Sequence, residues 1–106
     1  MVEESVINIV KKYILELQEK GLYFKKVILY GSHAKGTAKT DSDIDIMLVS
    51  KLFDDDKKKY YPIVWLSKIR TENRIEPYLI SEKAFNTAFS PLIDAAKYEG
   101  YEIVIN

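Results

Sequence analysis

Gly31-Ser32-His33-Ala34-Lys35-Gly36, followed after Thr37-Ala38-Lys39-Thr40-Asp41 by Ser42-Asp43-Ile44-Asp45, is the stretch around which the rest of this chain arranges itself. A turn of small residues lets backbone come close to a bulky anion and aims its N–H groups at phosphate oxygens. Two carboxylates follow at a spacing that suits a divalent cation. Neither half says much alone. Gly31-Ser32 on its own is an ordinary strand-to-helix turn, and an Asp pair on its own is a pair of solvated charges on an edge strand. Joined at this distance, they describe a place for a metal-loaded phosphate chain.

Outward from the turn, Phe24 to Tyr30 reads as an apolar strand that Gly31-Ser32 brings to an end. Thr37 to Ser42 is polar, and Asp43-Ile44-Asp45-Ile46-Met47-Leu48-Val49 reads as a second strand rich in apolar and β-branched residues. Side chains alternate along a strand, so Asp43 and Asp45 share one face, about 7 Å apart, and Ile44, Ile46 and Leu48 take the other. Two like charges so placed repel unless a cation lies between them. Magnesium suits hard oxygen ligands and completes its shell with phosphate and water. Ser42 reads as a local hydrogen-bonding support for this strand rather than as a nucleophile. The lone histidine, His33, reads as a solvated or phosphate-side contact rather than a general base.

Elsewhere the order is helix first, then alternating strands and helices, with neither repeats nor low-complexity linkers. Val6, Ile7, Val10, Tyr13, Ile14 and Leu17 recur at helical spacing, and Lys20-Gly21 closes that helix. A short helix starts at Ser32, its first amides facing the phosphates. Asp54-Asp55-Asp56-Lys57-Lys58-Lys59 reads as a solvated loop or helix start. Tyr60 to Ile69 reads as an amphipathic helix with Pro62 near its start. Tyr60, Tyr61, Trp65 and Tyr78 serve packing, and an exposed member of the set would mark a partner face. Ile75 to Ile80 is a third strand, with an irregular edge or bulge at Pro77. Ser81 caps a short helix through Phe85. Ser90-Pro91 opens a last helix that ends near Gly100, and Tyr101 to Ile105 is a terminal strand or an extended tail. The fold class is α/β (α+β), a mixed sheet flanked by helices.

Composition narrows the function classes. With 106 residues the expectation is one domain over 1–106, with a real core and no separate substrate-binding domain. Sixteen basic and sixteen acidic residues balance to zero, which counts against nucleic acid as the main partner. There is no cysteine, so a disulfide scaffold and a thiolate metal site are both excluded. No apolar run has membrane-spanning length, and Met1-Val2-Glu3-Glu4 lacks the basic and apolar regions of a signal peptide, so the expected location is cytoplasmic.

The pattern G-S-x-x-x-G, five further residues, then S-D-x-D and an apolar run extends without a gap from Gly31 to Val49. It resembles the minimal nucleotidyltransferases of the DNA polymerase β-like superfamily. The resemblance implies the polymerase β-like fold and transfer of a nucleoside monophosphate, AMP from ATP by default, with one or two Mg²⁺ ions. It puts Gly31, Ser32, Gly36 and Ser42 on the nucleotide side, and Asp43 and Asp45 on the metal as catalytic carboxylates. The family's third carboxylate comes from a later strand, where Glu76 is the candidate, although many relatives carry Asp there. His33 and Lys35 stand where relatives often have Arg, so part of the triphosphate grip is altered.

The resemblance also implies a partner. Minimal nucleotidyltransferases commonly pair with small helical HEPN proteins as toxin and antitoxin, in some cases transferring AMP to a toxin tyrosine, and that antitoxin role is the expectation here. Two other readings stand beside it. One is adenylyl transfer to a small hydroxylated molecule such as an aminoglycoside, against which the absence of a second domain counts. The other is a binding module without chemistry, for which a repulsive Asp pair would have no purpose.

Overall fold

The computed structural model describes residues 2–105. Its elements are α1 (Glu4–Glu19), β1 (Lys26–Tyr30), α2 (Ser32–Lys35), β2 (Ile44–Ser50), α3 (Tyr61–Thr71), β3 (Ile75–Ser81), α4 (Glu82–Thr87), α5 (Pro91–Glu99) and β4 (Tyr101–Glu102), with short 3₁₀ turns at Lys51–Phe53 and Lys57–Tyr60. The four strands form one mixed sheet in the order β3-β2-β1-β4. β1 runs antiparallel to β2 and to β4, and β2 runs parallel to β3.

Alternation on β2 builds two cores. Ile44, Ile46 and Leu48 join Leu29, Ile75 and Leu79 under Val10, Tyr13, Ile14 and Leu17 of α1 and Val64 of α3. Met47 and Val49 face the other way and meet Ile28, Tyr30, Ile80, Phe85 of α4 and Ile93 of α5. Each fully buried aliphatic side chain here contributes roughly 1.5–3 kcal/mol relative to exposure. Covered on both faces, β2 is nearly continuous in its apolar content, and Asp45 is the break in that run.

Local chemistry sets the element ends. α1 closes in a Schellman motif: Gly21, at φ +93, donates its N–H to Gln18 O at 3.0 Å, and Leu22 donates to Leu17 O at 3.1 Å. Ser81 and Ser90 cap α4 and α5, their Oγ atoms accepting from Ala84 N (3.0 Å) and Ile93 N (3.4 Å). Pro62 lies in the first turn of α3, where its missing N–H costs no helical bond. The Asp54–Lys59 run is largely exposed and leads into a 3₁₀ turn.

Four expectations are adjusted. β1 begins at Lys26 rather than Phe24, and β2 begins at Ile44, which leaves Asp43 in the turn just before it. β3 pairs with β2 without a bulge, Pro77 lying opposite Ile46; β3 is an edge strand, where alternate N–H groups have no ladder partner. The chain end is both strand and tail: Tyr101–Glu102 pairs with β1, and Ile103 N–H then bonds Val27 O at 2.8 Å. The amphipathic helix α3 forms as expected, and the structure assigns its faces. Val64, Ser67 and Lys68 face inward, while Trp65, Leu66 and Ile69 are exposed.

Candidate active site

The site lies at the end of β2 nearest the Gly-Ser turn. Tyr30 of β1, Asp45 of β2 and Glu76 of β3 are direct register partners across three adjacent strands, so their side chains rise in a row from one face of the sheet. Glu76 thus arrives beside Asp45 from a strand that starts thirty residues later in the chain, a juxtaposition made by the parallel pairing. Asp43, exposed and one residue before β2, stands next to this row.

Gly31 makes the row possible. Its backbone sits at φ +76, ψ −152, a conformation open in practice to glycine alone. A Cβ at this position would fall 2.5 Å from Asp45 Oδ2, with Asp45 Cγ at 3.4 Å and Cβ at 3.5 Å. The Asp45 carboxylate therefore packs against the bare α-carbon of the turn, and the two halves of the motif are in contact. From Gly31 the chain enters α2, Ala34 and Lys35 donating to Gly31 O at 3.1 Å, and leaves it at Gly36, left-handed at φ +78.

The loop between the halves is braced by its own residues. Ser42 Oγ accepts from Lys39 N at 2.8 Å, which gives it the supporting role that the sequence indicates. His33 Nε2 lies 3.3 Å from Ser42 O, tying α2 to the start of β2. Arg74, just before β3, donates from Nη1 to Thr40 O at 2.6 Å while its Nε bonds Glu72 Oε2 at 3.1 Å. A cleft of 580 Å³ flanks this loop, lined in part by His33, Gly36, Lys39 and Arg74, and contains neither Asp43 nor Asp45.

Electrostatically the row is crowded with negative charge. Burial raises the Asp45 carboxyl above its ordinary range, and repulsion from Asp43 and Glu76 adds to the rise, with His33 opposing it. The Tyr30 phenol is pushed up to about 12, first by burial and then by Asp45 beside it. A hard cation would relieve this repulsion, and paired carboxylates are the donors it prefers, so Asp43 and Asp45 fit a magnesium ion. Glu76 fits less simply. One of its oxygens accepts from Lys68 Nζ at 3.3 Å, and among the described residues no three His, Cys, Asp or Glu side chains converge as a metal-binding set.

Lys68, Tyr30 and Arg74 are the neighbours that sequence reasoning passed over. Lys68 had one available signal: it lies four residues after Val64 in an apolar helical run, a spacing that puts it on the same helix face as a core residue.

A mixed sheet with a Gly-Ser turn beside an acidic row defines a phosphate-transfer scaffold. The nucleotidyltransferase domain family matches residues 10–89, and the chain belongs to it, within the polymerase β-like superfamily. A protein assigned as a nucleotidyltransferase from Sulfolobus solfataricus has a similar structure, with a TM-score of 0.66 at 15% identity over 92% of this chain and 78% of that one. A toxin–antitoxin structure with AMP-PNP aligns with a TM-score of 0.60 at 18% identity, over 91% of this chain and 73% of that one. No curated protein matches significantly. The expected fold class, a mixed sheet flanked by helices in the nucleotidyltransferase arrangement, is the one found.

Proposed function

We propose that residues 1–106 act as one nucleotidyltransferase domain that moves AMP from Mg-ATP to a hydroxyl, a tyrosine of a small helical HEPN-type toxin, and so serve as the antitoxin. The observation that carries the reading is the contact of the Asp45 carboxylate with the bare α-carbon of Gly31, which supports giving the metal to that carboxylate and the phosphates to that turn. The toxin–antitoxin assembly among the structural neighbours supports a protein acceptor, and its AMP-PNP supports ATP as donor.

In this reading Asp43 and Asp45 would hold the magnesium ion, which would supply charge neutralisation on the triphosphate and acidify the attacking hydroxyl. Ser32 Oγ and the N–H groups of Ser32 and His33, which precede the first helical bonds of α2, receive the β- and γ-phosphate oxygens. The acceptor oxygen forms its bond to the α-phosphorus as the bond to the bridging oxygen breaks, pyrophosphate leaves with that electron pair, and the hydroxyl proton passes to a carboxylate of the row. Tyr30, itself buried and held protonated by that burial, closes the inner end of the row.

The test is to incubate the protein with ATP, Mg²⁺ and the product of the adjoining gene, and then to weigh that product intact. Addition of one AMP, located on a tyrosine, is expected. An unchanged mass with ATP unconsumed would overturn the proposal.

A further inference from the structure

Lys68 is the only charged residue buried among the described residues, at 7% exposure. Its Nζ lies 3.3 Å from Glu76 Oε1 and 4.7 Å from the centre of the Trp65 ring. An ammonium group withdrawn from water is costly unless it is paired, and Glu76 with the ring face supplies the pairing. A bland account would make Lys68 a guard on the free edge of β3. Lys57 already fills that role, donating to Leu79 O at 3.4 Å and lying 5.8 Å from the centre of the Tyr78 ring. A guard works in solvent and gains nothing from burial, so edge protection accounts for Lys57 and leaves Lys68 unexplained.

What Lys68 reaches is the third carboxylate of the acidic row, since Glu76 is the register partner of Asp45. We propose that Lys68 is a built-in second cation of this site: its ammonium occupies Glu76, so that the nucleotide complex takes one divalent ion, on Asp43 and Asp45, instead of two. A fixed positive charge then balances part of the row at all times, and Glu76 is a partner of Lys68 rather than a metal ligand. Lys68 is on this account a positioning residue. The inference rests on the nucleotidyl-transfer reading and sharpens it.

Counting bound Mn²⁺ by electron paramagnetic resonance, with α,β-methylene-ATP saturating the protein, tests it without reference to turnover. Wild type is expected to hold one Mn²⁺ per complex. K68M, which keeps the aliphatic stem but frees Glu76, is expected to hold two; K68R, which restores a cation, should hold one; and K68M combined with E76Q should return to one. Two ions in wild type, or one in a K68M protein whose circular dichroism is native, overturns the role given to Lys68 and leaves the transfer reading standing. Should K68M fail to fold, the wild-type count decides. Absence of both Mn²⁺ and nucleotide from every variant overturns the transfer reading, and this inference with it.

Discussion

Gly31→Ala is the sharpest single perturbation, because the structure separates two costs at one atom. The first is conformational: φ +76 with ψ −152 is a region that a residue with a Cβ enters at about 1–3 kcal/mol. The second is contact. The new methyl would stand 2.5 Å from Asp45 Oδ2, so the carboxylate must swing off its rotamer, at about 0.5–1.5 kcal/mol. The sum is about 1.5–4.5 kcal/mol, and at about 4–8 °C per kcal/mol for a domain of this size the melting temperature should fall by at least about 6 °C. Urea denaturation would measure it, with Asp45→Ala and the double variant completing a cycle. In the Asp45→Ala background the contact cost is gone and only the backbone cost remains, so Gly31→Ala should be milder there by roughly 0.5–1.5 kcal/mol. Binding of Mg-ATP should be lost in Gly31→Ala even below its unfolding transition, since the displaced carboxylate is the one that the proposed function assigns to the metal. Equal costs in both backgrounds, or unchanged nucleotide binding in the single variant, would refute the claim that turn and carboxylate are in functional contact.

Other outcomes follow from the same geometry. On the proposed function, Asp43→Asn and Asp45→Asn should each cut AMP transfer by about a thousandfold or more, because a metal held there would supply several kcal/mol of transition-state stabilisation; partner neutralisation that survives both changes would favour pure binding. Asp45→Asn should also raise the melting temperature in EDTA at pH 7. Burial raises the Asp45 pKa in the folded state, so its contribution to stability is full below its unfolded value of about 4 and is lost as pH rises through the folded value. The advantage of Asn must therefore shrink toward pH 3, and thermal melts showing it constant with pH would contradict this. Tyr13→Phe should destabilise by about 0.5–1.5 kcal/mol by removing the buried bond from Tyr13 Oη to Val64 O, which pins α1 to α3 at 2.9 Å. Leu66→Lys and Ile69→Lys should each change the urea midpoint energy by less than about 0.5 kcal/mol, since both side chains are exposed; larger losses would mean that α3 packs with its other face inward.

What could be read in advance follows the range of the interactions involved. Gly31, Ser42, Asp43 and Asp45 lie within fifteen residues, and strand alternation and turn chemistry act over such distances, so that part of the motif was legible, as were the caps at Ser81 and Ser90 and the Gly21 closure of α1. The inward face of α3 was not. Val64, Ser67 and Lys68 keep helical spacing, yet two of the three are polar, and what makes them acceptable inside lies far away: Ser67 Oγ accepts from Lys20 Nζ at 2.9 Å, and Lys68 meets Glu76. Hydropathy puts Trp65, Leu66 and Ile69 inside by their own chemistry, because it cannot register partners supplied by α1 and β3. The same limit governs the third carboxylate. Glu76 reads as a metal ligand or a surface charge with equal ease until the parallel register sets it beside Asp45, and the neighbour that decides its chemistry, Lys68, reaches it from the end of the preceding helix. In this fold the charges that matter are brought together by strand pairing, and the counter-charge that tunes them is hidden in a helix that turns Trp65, Leu66 and Ile69 outward.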